Sequence, residues 1–148
     1  MQHNCTCTLY NKISGTETYQ RVVIPEVEWE NRKGVNGMKS GALASNSARV
    51  FVKKSLGANY VKPKAWQTLT TKTGKWTLQE GDVIVKGTVT DEIHVAIPYS
   101  AGPPIVQAVA DFTVTSLKNK YDDVLTITSV DTFDMGSLSM QHWELGAK

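Results

Sequence analysis

Few residues in this chain have the types and spacing that chemistry needs. Cys5 and Cys7 lie two apart on one face of an extended run, with His3 close by. A structural zinc site takes four ligands in separated pairs. No second pair follows, so the two thiols are expected to face a core. His94 and His142 stand outside any H-E-x-x-H frame, and no G-x-S-x-G elbow presents a serine nucleophile. Asp91–Glu92 and Asp122–Asp123 are adjacent acids whose side chains diverge on a strand or turn, so they read as surface charge and not as a general acid and base. Gly34 to Ser40 has a superficial likeness to a phosphate loop. The Walker pattern needs Gly directly before Lys-Ser, and Met38 stands there. Asn4-Cys5-Thr6 fits a glycosylation sequon by pattern alone, because Met1 to Thr8 is polar and forms no apolar leader. These residues predict no enzyme, no metal and no cofactor.

The charge pattern says more. From Asn31 to Gln79 there is no Asp or Glu, while ten Lys and Arg residues occur: Arg32, Lys33, Lys39, Arg49, Lys53, Lys54, Lys62, Lys64, Lys72 and Lys75. The thirty residues before this stretch have a net charge of −2, and residues 80–148 one of −6. The overall +2 hides this division. Bipolar charge can steer a polyanion to one face while the other face meets a basic partner. The plainer reading is a solvated region whose lysines keep the chain in solution.

The elements that must position these charges follow from period-two patterning. Strands are predicted at Cys5–Tyr10, at Tyr19–Ile24 with a stop at Pro25, at Val27–Lys33, at Ala48–Lys53, at Val83–Val89, at Val124–Val130 and at Leu138–Leu145. Val27 and Trp29 share one face, with Glu28 and Glu30 on the other. Val83, Val85 and Val89 also share a face, and Gly87 marks a bulge or close backbone approach. Asp131–Gly136 supplies turn chemistry. One short helix is expected over Thr113–Tyr121, capped by Thr115 or Ser116. Gly34–Ser47 reads as a long mobile loop, Leu56–Gly81 as irregular with a hairpin near Thr73–Gly74, and Tyr99–Pro104 as a break. With 148 residues, 41% of them hydrophobic, the chain suits a single domain with its own core. The expected fold is mainly β: a small β-barrel over 1–148 with long loops, at most one short helix, and a mobile basic loop region around 31–79. No apolar run approaches the ~20 residues of a membrane helix.

The order of several short motifs carries a family likeness. Trp76-Thr77-Leu78 precedes the run Glu80–Gly87. Ser129-Val130-Asp131, Gly136-Ser137 and His142-Trp143-Glu144-Leu145 follow, with Gly146 and Lys148 closing the chain. Trp29 precedes the basic stretch, and Tyr60, Pro63 and Trp66 punctuate its middle. Together these resemble small head–tail joining proteins of tailed phages and prophages of Gram-positive hosts, of the head-closure (stopper) or connector kind. The resemblance implies a β-barrel subunit of a homo-oligomeric ring, a hexamer in the virion, seated below the portal and adaptor. Such a ring retains packaged double-stranded DNA, forms part of its ejection channel and meets a tail terminator or tail tube protein. It would lie at the virion neck after assembly in the host cytoplasm, with no membrane partner. On this likeness Lys33 and Lys39 would face the lumen or the DNA end, with Arg49, Lys53 and Lys54 supporting the same field. Gly34, Gly37 and Gly41 would form a gate loop. Alternatively the basic stretch would dock on an acidic adaptor ring. Two other readings stay open: a tail terminator or other connector ring, and an OB-like nucleic-acid-binding module that stacks bases on Tyr60, Trp66 and Trp76.

Overall fold

A computed structural model describes residues 5–38 and 41–148, with side chains described outside 32–46. Six strands form a closed antiparallel barrel: β1 (Cys5–Lys12), β2 (Tyr19–Met38), β3 (Gly41–Lys53), β4 (Val83–Lys86), β5 (Val124–Phe133) and β6 (His142–Ala147). Their order around the barrel is β1-β2-β3-β6-β5-β4, with β4 returning to pair with β1. The chain is thus the mainly-β barrel that its patterning predicts. Closure leaves the six strands without a free sheet edge around the barrel.

The barrel interior is filled by alternate residues from each strand, among them Leu9, Ile24, Val27, Trp29, Val50, Val52, Ile84, Ile127, Trp143 and Leu145. Each large side chain removed from water in this way contributes about 1.5–3 kcal/mol. Val27 and Trp29 point inward as their spacing predicts, and Glu30 is exposed. Trp143 is buried in the same core. Cys7 faces the interior too, while Cys5 is half-buried.

A second core lies on the barrel's outer face. Tyr10, Val83, Val85 and Val124 point outward and are covered by Val89, Ile93 and Leu117 from the segment between β4 and β5. Both faces of β1 and β4 are therefore dry, which is why Val83, Ile84 and Val85 are all buried. Gly87 ends β4 with φ +95°. Its N–H donates to Thr6 O at 2.7 Å and its carbonyl accepts from Thr8 Oγ1 at 2.8 Å, the close backbone approach expected there.

Several boundaries differ from expectation. The two strands predicted on either side of Pro25 are one. Pro25 sits exposed where Cys5–Cys7 faces Ile24–Val27 in a bulge, and its carbonyl accepts from Thr6 Oγ1. A proline without an N–H interrupts no ladder bond there. Within Gly34–Ser47, expected as a loop, residues 34–38 and 41–47 are instead the ends of β2 and β3, paired in unbroken register from Gly34↔Ser45 to Met38↔Gly41, and residues 39–40 lie outside the described residues. Small Gly, Ser and Asn residues hide the period-two signal without opposing a ladder that Val27–Trp29 and Val50–Val52 have already begun. β4 stops at Lys86 and not Val89, because of Gly87. β6 starts only at His142, since Ser137–Gln141 is taken up by turn bonds.

Helix exceeds the single one expected. A 3-10 helix runs over Lys54–Asn59 and α1 over Pro63–Thr68, in addition to α2 at Val114–Lys120. Pro63 opens α1 with a preset φ, and six residues are too few to show a helical period. The cap of α2 is Thr113, not Thr115 or Ser116: Thr113 and Ser116 exchange side-chain-to-backbone bonds in a capping box.

Candidate functional site

The β1–β2 ladder ends at Val27 and the β3–β6 ladder at Ala48, while β2 and β3 go on pairing with each other as far as Met38 and Gly41. The two strands leave the barrel together as a two-stranded extension. From Ala48 to Gly41 it spans roughly 24 Å at the usual strand rise. This extension carries Lys33, set opposite Asn46, and Gly34, Gly37 and Gly41 within its ladder. Lys39 lies outside the described residues. The glycines predicted to form a gate loop thus occupy strand positions, Gly34 midway along the extension and Gly37 and Gly41 at its far end.

Of the remaining predicted cations, Arg49 lies where the extension joins the barrel, while Lys53 and Lys54 lie at the opposite end of β3, roughly 13 Å or more along the strand. Arg49 and Lys53 alternate with the buried Ala48, Val50 and Val52, so they share the outer face of β3. Arg49 Nε lies 2.9 Å from Glu144 Oε1 on β6, and Glu30 sits opposite it on β2. Lys54 opens the 3-10 helix with Nζ 5.7 Å from the Trp143 ring. The three residues therefore form no single cluster, and Arg49 is partly neutralised by its ion pair. Lys72 is used structurally: its Nζ donates to the carbonyls of Gln67 and Leu69 at the end of α1 and lies over Trp66. A mixed-charge cleft of about 500 Å³ opens beside the root, lined by Asn31, Ser47, Lys118, Asp122, Asp123 and Lys148.

The aromatic residues do not form a stacking platform. Trp66 and Trp76 are buried, and Tyr60 is wedged between Trp76 and Trp143 at centroid distances of 5.4 and 4.4 Å. Their faces are spent on the core, so the surface that an OB-like reading assigns to them is not offered to bases.

The candidate reactive groups are dispersed. Burial pushes the Cys7 thiol up to about 12 and raises Cys5 as well, so both are thiols at neutral pH. His142 stacks on Phe133 at 4.8 Å, whereas His94 pairs with Phe112 in a different part of the chain. Asp91 bonds the Tyr121 hydroxyl and Lys120 Nζ, which hold its carboxyl below the usual range. Among the described residues no group of three His, Cys, Asp or Glu side chains is placed to hold a metal ion.

One charged centre had no sequence signal beyond its place in the run Glu80–Gly87. Asp82 is buried at a barrel mouth, where its carboxylate accepts from Asn11 Nδ2 at 2.8 Å, Lys12 N–H at 3.0 Å and Gln79 Nε2 at 3.0 Å. Burial still pushes its pKa up to about 6 against these three donors. Asn11 also bonds the backbone of Thr77 in both directions, tying β1 to the segment before β4. The arrangement is a polar plug closing the barrel end.

Among the described residues no helix is long and apolar enough to cross a membrane. Comparison with curated proteins and with solved structures finds no match. A family model does match, over residues 2–148, and by that coverage the chain belongs to the family of unknown function DUF6751.

Proposed function

We propose that this protein is a structural component of the phage neck: a head-closure (stopper) ring that joins the portal–adaptor complex to the tail. The ring retains packaged double-stranded DNA and forms part of its ejection channel. The observation that carries this reading is the β2–β3 extension, which leaves a closed barrel from within the one stretch holding ten cations and no acid. A ring repeats that extension once per copy and concentrates positive charge around an axis. Lys and Arg contact phosphates whatever the base sequence, which suits a cargo that must slide past.

In this reading Lys33 and Lys39 meet the DNA end or the lumen, and Arg49 at the root and Lys53 and Lys54 at the other end of β3 support the same field. Gly34, Gly37 and Gly41 let the extension change its path at low steric cost, as a gate requires. The portal-side connector lies above the ring and the tail terminator or tail tube protein below. Six-fold symmetry rests on analogy with other neck rings. The motif order from Trp76 to Lys148 supports the same assignment.

Cryo-EM reconstruction of whole particles, focused on the neck, tests it. The expected result is a ring of this chain between portal complex and tail, with residues 34–47 directed inward. A particle that lacks the chain overturns the reading.

A further inference from the structure

Between β4 and α2 the chain throws out a second projection. Residues 94–112 form an irregular two-stranded arm held by paired backbone bonds at His94–Phe112, Ile97–Val109 and Ser100–Val106, all 2.8–3.0 Å. Its bonded pairs recur every third residue, whereas a regular antiparallel ladder bonds every second. Every residue from 95 to 111 is exposed, and none from 95 to 110 is charged. Val95, Ile97, Tyr99 and Ile105 stand in water, Ile105 at 65% exposure. A cleft of about 410 Å³ opens at the arm's root, lined in part by Tyr19, Ile93, Val95, Phe112 and Val114.

A second bare apolar surface lies at the turn between β5 and β6. Phe133, Met135, Leu138 and Met140 are exposed there, Met135 at 86%. The arm connects through α2 to the start of β5, and this turn begins at its end, ten residues on. Both surfaces are uncovered in the same chain, so neither covers the other within one molecule. Together they present on the order of 1,000 Å² of apolar area, the lower bound for a specific interface.

We infer that the occupant of each surface is a second copy of this chain, joined head to tail: the β5–β6 turn of one copy seats on the arm and root cleft of the next. The arm is uncharged from 95 to 110, with Asp111 and Glu17 at the rim of the cleft, and the turn presents flexible methionines, side chains that adapt to irregular gaps. Two different surfaces on one molecule make a heterologous contact, which closes into a ring or runs on as a filament. The contact rests on the ring reading above only for its closure.

The test is sedimentation of the full chain over a wide concentration range, with Ile105→Glu on the arm and Met135→Glu on the turn. Both sites are exposed, so circular dichroism and Tm should stay unchanged. Val95→Glu and Leu138→Glu replace any variant that fails to fold. Self-association of the wild type is expected, and each variant alone should weaken it roughly 100-fold. Mixing the two variants should restore a one-to-one pair, because each keeps the surface that the other has lost. A wild type that stays monomeric, or binds lipid vesicles as a monomer, overturns the inference. So does a turn variant that associates normally, or a mixture that fails to pair. Association without a place in the particle would overturn the neck reading and leave this contact standing.

Discussion

Arg49 Nε and Glu144 Oε1 face each other at 2.9 Å across β3 and β6, at the root of the basic extension. Glu144 is thereby an internal competitor for the phosphates that Arg49 would meet. Glu144→Gln should raise affinity for double-stranded DNA and steepen the dependence of log K on log salt by about one unit. Stability should change by less than ~1 kcal/mol, because the pair is partly exposed. Fluorescence anisotropy with a labelled duplex at several salt concentrations checks both.

The extension itself should dominate DNA contact. Lys33→Ala combined with Lys39→Ala should lower affinity for duplexes of any sequence alike and reduce the salt slope by roughly two units. The same binding assay, run with two unrelated duplexes, reads this out. An unchanged slope would assign these lysines to a protein partner.

Gly57 lies under the Trp143 indole, and a Cβ added there would stand 2.8 Å from Trp143 Cη2. Trp143 cannot retreat freely, since Tyr60 and Trp76 pack on it at 4.4 and 5.9 Å. Gly57→Ala should therefore cost about 1–3 kcal/mol through overpacking. Denaturant unfolding of the variant measures it.

Asp82 should make stability fall as pH rises through mildly acidic values. Its pKa rises from an ordinary 3.8 to about 6 in the folded chain. The folded state then binds more protons than the unfolded state between those values, so this carboxyl favours folding below pH 4. That contribution is lost as pH climbs through about 6, by on the order of 2–3 kcal/mol. Over that range wild type should lose about 2–3 kcal/mol of stability relative to Asp82→Asn. A difference that does not vary with pH would mean that the carboxyl is not desolvated in solution.

The sequence made the barrel legible where one strand face is apolar and the other polar. Val27, Trp29 and Trp143 declare their inward faces by alternation alone. It concealed pairing where side chains are small. The ladder from Gly34↔Ser45 to Met38↔Gly41 is held by backbone bonds that leave no periodic trace. The arm was equally hidden. Its apolar residues imitate core strands, and only their exposure sets them apart. Of the candidate site, the cations were visible by composition, but their separation, Arg49 at the root and Lys53 at the other end of β3, follows only from the pairing with β6. Asp82 had no spacing to betray it, because its donors come from β1 and from Gln79 just ahead of it.

All four tryptophans, Trp29, Trp66, Trp76 and Trp143, are buried at 5% exposure or less. The chain accordingly carries its own optical reporter. Its intrinsic emission should be blue-shifted and shielded from aqueous iodide, and should move to the red only when the barrel opens. Nucleic acid bound to the basic extension would leave that emission untouched, whereas bases stacking on an indole would quench it. A single titration in a fluorimeter therefore separates contact with the phosphate backbone from contact with the bases.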